Sequence, residues 1–272
     1  MRKFNIIVLL AVAMLQFSCA GYFETVMKSN DVDLKYKAAL KYFEEGKYKK
    51  AADVFDNMNL LAQGLPQEDT VSFYHGLSNY RYGDFETAET SLAKFIEVYP
   101  RSAFTEEAKY LRIICLYKGT YRYELDQTPT RKAMMVIGEF MYDNPTSKYF
   151  EECQAMMEDL QERLERKSFE SAKIYYTMED YKASRYALKN VLKDNSENRY
   201  REDILYYIAL SSYKYAYNSI PEKQRERYLD FKDDYYNFIS EYPESKYRKE
   251  VDGLFEKVEK LTEKNVNTEE QQ

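Results

Sequence analysis

The chain has 272 residues but only 8 glycines and 6 prolines, too few for the turns of a β protein this long, so an all-α fold is expected. Its net charge of −6, with acidic and basic residues mixed along the chain, argues against a nucleic-acid partner, which needs clustered Lys and Arg. A single histidine, His75, leaves no Ser-His-Asp, Cys-His or HExxH arrangement.

The first segment, "MRKFNIIVLLAVAMLQFSCAG", has Arg2 and Lys3, an apolar run from Phe4 to Leu15, and small residues around Cys19. The run is too short to span a bilayer, which takes about 20 residues, and reads as a secretory signal over residues 1–18. A cysteine at the cleavage position resembles the bacterial lipoprotein signal, in which that thiol is acylated. The lipidation site is therefore expected at Cys19, with Gln16 and Phe17 departing from the usual pattern; an ordinary signal with an incidental cysteine is the alternative. Residues 19–32 read as a tether.

Beyond it one phrase recurs: "GKYKKAADVF" (46–55), "GDFETAETSL" (83–92) and "EDYKASRYAL" (179–188). Ala51 and Ala88 each follow a glycine by five residues and an aromatic by three. The third phrase keeps the frame with Tyr181, Ser184 and Leu188. A turn followed by a helix with a small residue on its packed face accounts for this. Between phrases come "YPRSAF" (99–104), "NPTSKY" (144–149), "NSENRY" (195–200) and "YPESKY" (242–247), where proline stops one helix and Ser or Asn offers an oxygen to cap the next. A third regularity is a pair of aromatics seven apart in each first helix: Tyr36 and Phe43, Phe73 and Tyr80, Tyr110 and Tyr117, Phe169 and Tyr176, Tyr206 and Tyr213. Seven residues is close to two turns, so each pair lies on one stripe.

Units of this length and punctuation resemble the tetratricopeptide repeat. The expectation is a solenoid of about five helix pairs in a right-handed superhelix, over 33–66, 67–101, 102–147, 148–197 and 198–261, because one pair cannot bury its apolar face alone. In the third unit "KGTYRYELDQTPTR" lengthens the loop, with Thr128 as cap and Pro129 in the first turn of the next helix. "AYNSIPEKQRER" is read as lengthening the loop of the fifth. Residues 149–178 read as one rod of about 45 Å, and 262–272 as a polar, disordered tail. Cys115 and Cys153 lie in helical patterns and are read as buried, unpaired thiols.

The lipoprotein signal, the third unit with "DQTPTRKA" and "NPTSKYFEEC", and the fourth reading "ERKSFESAKIYYTMEDYKASRYALKNVLKDN" resemble the BamD family of lipoproteins of the outer-membrane β-barrel assembly machinery. The resemblance covers Asp33 to about Leu261. It implies lipid anchorage on the periplasmic face of the outer membrane and C-terminal units docked on the barrel-inserting subunit. Other assembly lipoproteins would be neighbours, and N-terminal units would receive unfolded barrel precursors. Where many relatives carry an arginine at the barrel-subunit contact this chain has Ala187, with Arg185 two residues away on another face. Arg185, Tyr206 and Tyr213 are the candidate contacts.

No cofactor, metal site or catalytic residue is read from the sequence. Carboxylate pairs such as Glu44–Glu45, Glu106–Glu107 and Glu151–Glu152 fall at helix surfaces or starts, where they complement the helix dipole. The candidate binding residues are instead the stripe of Tyr36, Phe43, Phe73, Tyr80, Tyr110 and Tyr117. Arg81 and Lys118 stand beside it, placed to attract a terminal carboxylate. Plain packing between helices is the competing reading of every ring. A scaffold that holds polypeptides is thus expected, with another envelope adaptor as the alternative and an enzyme carrying a helical-array domain as the poorest fit.

Overall fold

The computed structural model describes residues 21–269, with side chains to residue 261; Cys19 and the signal lie outside the described residues. Among the described residues there are twelve helical segments and no strand, an all-α fold of the kind a tetratricopeptide-like helical repeat gives. Residues 21–28 form α1, followed by α2 (Val32–Glu44), α3 (Tyr48–Met58), α4 (Glu68–Tyr82), α5 (Phe85–Val98), α6 (Thr105–Lys118) and α7 (Thr128–Asp143). Then come α8 (Phe150–Thr177), α9 (Tyr181–Asp194), α10 (Arg201–Tyr217), α11 (Pro221–Glu241) and α12 (Arg248–Glu269). The described residues divide into two compact units: 21–121 together with 126–157, and 122–125 together with 158–269.

In the first unit α2 to α7 pack each on the next, so sequence neighbours are spatial neighbours. The small residues of the recurring phrase lie where these helices meet: Ala51 and Ala88 are fully buried, flanked one turn on by Phe55 and Leu92, also fully buried. Gly76 makes the closest approach, since a Cβ there would come within 2.8 Å of Leu92 Cδ2. The turns before α3 and α5 follow one plan. Gly46 and Gly83 take φ of 72° and 94°, and the next residue's N–H reaches back five residues, Lys47 to the Tyr42 carbonyl and Asp84 to that of Asn79. Asp84 then caps α5 by accepting from the Thr87 N–H at 3.1 Å.

In the second unit α10 is the central helix, buried from Ile204 through Tyr206, from Ile208 through Tyr213 and at Ala216, with α9, α11 and α12 packed on it. The third phrase is built like the others, with Ser184 at the small position, fully buried and bonded to Ser211 Oγ at 2.9 Å. Its turn keeps the bond from Asp180 N to the Tyr175 carbonyl and the Asp180 cap on Ala183 N, but the left-handed residue is Glu179, with φ of 62°.

Several boundaries differ from the sequence reading. Residues 21–28, read as tether, are helical, and Val26 is fully buried against α2 and α3. Thr128 is the first residue of α7, not its cap; its N–H and hydroxyl both bond Asp126. "AYNSIPEKQRER" does not lengthen a loop: Pro221 opens α11 shortly after α10 ends, and the extra residues extend that helix to 21. The polar stretch from 262, with no Gly or Pro to stop it, continues α12 to Glu269. The continuous helix across residues 149–178 is α8, Phe150–Thr177.

Candidate functional site

The aromatic stripe and the punctuation between phrases, two separate signals in the sequence, meet in the structure. In four of the five stripe pairs the first ring lies flat on the aromatic that ends the next punctuation. Phe73 stacks on Phe104 (4.6 Å between centroids), Tyr110 on Tyr149 (3.9 Å), Phe169 on Tyr200 (5.4 Å) and Tyr206 on Tyr247 (3.8 Å), each pair nearly parallel. Hydroxyls join these stacks to carboxylates: Tyr110 donates to Glu152, Tyr206 to Glu250 at 2.8 Å, Tyr200 to Glu162 at 2.6 Å and Tyr247 to Asp203 at 2.5 Å. Burial and the neighbouring carboxylate raise the Tyr110 and Tyr206 hydroxyls well above the usual tyrosine range, and Tyr200 to about 12, so all three stay protonated donors.

The punctuation serines act differently from caps. Ser102, Ser147 and Ser245 accept from the N–H two residues on, before the helix begins. Their own hydroxyls donate to an acid in the first turn of an earlier helix: Asp69 at 2.7 Å, Glu106 at 2.6 Å and Glu202 at 2.6 Å. Asn198 holds the equivalent N–H of Tyr200, while the buried Glu165 accepts from Asn195 and from Arg199 N. Two of the acids read as dipole partners thus also bond distant parts of the chain, Glu106 to Ser147 and Glu152 to Tyr110 of α6.

The second ring of a pair packs against the aromatic that opens the following helix: Phe43 on Tyr48 (5.3 Å), Tyr80 on Phe85 (6.0 Å) and Tyr176 on Tyr181 (5.5 Å). Tyr213 instead packs on Phe231 and Tyr228. Of the candidate groove residues, Phe73 is buried and offers no binding surface, as its stack and its contact with Phe95 explain. Tyr36, Phe43, Tyr80, Tyr110 and Tyr117 are half-buried, and Arg81 and Lys118 are exposed. Tyr80, Phe85 and Lys118 come together, the ammonium lying 5.3 Å from the Phe85 ring. An aromatic step with a cation over it is thus present at the ends of α4 and α6.

The candidate contacts in the second unit are turned inward. Tyr206 and Tyr213 are buried, 7% and 9% exposed. Arg185 reaches from α9 to α11, its Nε 2.5 Å from Asp234, with Asp230 at 3.3 Å; Lys189 meets Asp234 at 2.8 Å. Asp234 is almost wholly enclosed, so this cluster ties two helices together. Ala187 is half-buried and packs against the same core.

A cleft of about 300 Å³, which the sequence did not single out, lies among α3, α4 and α5, with Asp56, His75, Lys94 and Tyr99 in its wall. Leu60 and Val98 form an apolar lip, 78% and 52% exposed. Burial holds the His75 imidazole below its usual range, with Asp56 3.9 Å away. The Cys115 and Cys153 thiols are free and buried, pushed up by burial to about 12 and about 11, which keeps them protonated and unreactive. Among the described residues no three His, Cys, Asp or Glu side chains are grouped to hold a metal ion, and no helix is long and apolar enough to cross a membrane.

Compared with known protein families, the chain matches the model of YfiO, described as an outer membrane lipoprotein, over residues 28–203. No curated protein matches it.

Proposed function

The chain belongs to the YfiO family of outer membrane lipoproteins, the family of BamD, a lipoprotein of the outer-membrane assembly machinery, and from that premise we propose that it is a lipid-anchored scaffold of β-barrel assembly that catalyses no reaction. The family match across 28–203 carries this reading. In it, Cys19 is the acylated residue, the anchor sits in the leaflet facing the periplasm, and the helices form five tetratricopeptide-like pairs in a right-handed array. The array receives unfolded barrel precursors and docks on the barrel-inserting subunit alongside other assembly lipoproteins.

Chemistry supports a holding role. The half-buried Tyr80 with Phe85, Lys118 and Arg81 offers flat apolar area beside positive charge, which suits an aromatic-rich strand ending in a carboxylate. The apolar lip at Leu60 and Val98 adds a second place for an extended segment. Both thiols are buried and protonated, so neither supplies a ready nucleophile, and the one histidine is largely enclosed. For the second unit the surface to test is not Tyr213, which is buried, but Tyr217, 58% exposed at the end of α10.

A photo-crosslinking amino acid placed at Tyr80 and, separately, at Tyr217 in growing cells tests the reading. Expected are adducts to nascent outer-membrane proteins from Tyr80 and to a large membrane β-barrel from Tyr217. Adducts to cell-wall synthases from both positions would overturn it in favour of another envelope adaptor.

A further inference from the structure

Residues 21–28 leave little free chain between Cys19 and the folded unit. Val26 is fully buried, and Phe23 packs edge-on against Tyr42 with 5.9 Å between centroids. Lys50 lies over the Phe23 ring at 5.4 Å. The end of α1 is fastened by Lys35, a fully buried lysine of α2 whose ammonium donates to the Met27 carbonyl at 3.0 Å and to Asn57 of α3. A buried ammonium with fixed acceptors on two other elements holds α1 by specific bonds as well as by apolar contact.

Reach then decides where the unit sits. Two residue steps, through Ala20, lead from Cys19 to the start of α1 at Gly21, at most about 3.5 Å each, and five helical steps at about 1.5 Å each lead on to Val26. Cys19 therefore lies within about 15 Å of a buried core residue, whereas a free tether of residues 19–32 would extend to about 45 Å. Resting on the acylation of Cys19 proposed above, we infer that the α1 end of the first unit lies directly against the lipid headgroups, with Tyr22 in the interface. Tyr22 is the exposed aromatic of this helix, 44% accessible and close in sequence to the anchor, and a tyrosine ring suits a boundary that is apolar on one side and wet on the other. The charges on α1 cancel, since Lys28 pairs with Glu24 at 2.7 Å. The contact comes from the short leash and the ring and does not need anionic lipid.

The chain has no tryptophan, so Tyr22→Trp and, separately, Tyr142→Trp each give a protein with one indole fluorophore. Tyr142, on α7 of the same unit, is 87% exposed and serves as the reference. The full lipidated chain is reconstituted in phosphatidylcholine vesicles with and without bromine on the upper acyl chain. Mass spectrometry of the same preparation reads acylation. Expected is a loss of about half the indole fluorescence of the Tyr22→Trp variant in brominated vesicles, little change for the Tyr142→Trp variant, and the same result when phosphatidylglycerol is added. An acylated Tyr22→Trp protein quenched no more than its Tyr142→Trp counterpart overturns the inference and leaves the lipoprotein reading standing. A mature chain without acylation at Cys19 removes both.

Discussion

The turn at Gly83 and Asp84 in the first unit and the turn at Glu179 and Asp180 in the second make the same hydrogen bonds with different residues. Each sends an N–H back five residues, and each caps the following helix with an aspartate. The first places a glycine in the left-handed conformation, whereas the second places a glutamate there. Two of the stacked pairs differ likewise, although Tyr110 on Tyr149 shows that the first unit also uses hydroxyls. Phe73 on Phe104 is hydrocarbon alone, while Tyr206 on Tyr247 carries hydroxyls bonded to Glu250 and Asp203. The two units thus share a bonding plan that tolerates substitution, and a residue type cannot be read without the partner it meets.

The largest effect should come from removing a stacked ring. Phe73→Ala and Tyr206→Ala are each expected to cost about 3–5 kcal/mol, measured by urea unfolding, because each empties a buried site. Equal small losses would show that the stacks are incidental. Arg185→Ala should cost roughly 3 kcal/mol, since Asp234 stays enclosed with only Lys189 beside it. A loss of partner binding in that variant would then report instability, and a fully stable variant would free Arg185 for a contact role. Tyr206→Phe, which keeps the stack but removes the donor to Glu250, should cost about 1 kcal/mol, with no counterpart at Phe73.

Smaller energies are expected at the turns. Glu179→Gly should stabilise the protein by about 1 kcal/mol, because an L residue in the left-handed region carries a cost that glycine does not. Gly83→Ala should destabilise by about the same amount. Opposite signs are the required outcome, and a destabilising Glu179→Gly would mean that the glutamate side chain contributes something else. The smallest signal is a titration. Tyr99 in the first unit and Tyr200 and Tyr235 in the second are raised to about 12 by burial and carboxylate partners, above the roughly 10 of a free tyrosine. A folded-state value above the unfolded one gives stability that is complete below about pH 10 and disappears as pH rises through about 12. Absorbance of tyrosinate should therefore lag in the native protein relative to the urea-unfolded chain, and superimposable curves would contradict these bonds.

Much of this plan was legible in the sequence because it is local. Gly46, Gly83, Ala51 and Ala88 act within one turn, so their spacing shows what they do, whereas the cap at Asp84 was passed over. The stacking was not legible, although both halves of it were visible. Phe73 and Phe104, or Tyr206 and Tyr247, stand about 30–40 residues apart, and the periodicity of one helix does not say which ring on another will meet it. The constant offset between stripe and punctuation was the signal available. For the same reason the aromatics looked equally fit for a groove or a core, until the partners of Phe73, Tyr206 and Tyr213 placed those three inside. Residues 21–28 escaped because so short a segment is too brief to hold a helix alone, and this one depends on Val26 and on the bonds of Lys35.

Whether this chain holds barrel precursors and their inserting subunit, as proposed, is decided by isolating the tagged full chain from gently solubilised outer membranes and identifying what accompanies it. A large membrane β-barrel subunit in near-equal amount, with outer-membrane precursors in lesser amounts, is the predicted result. A peptidoglycan synthase or hydrolase in its place, with no barrel protein present, would contradict it.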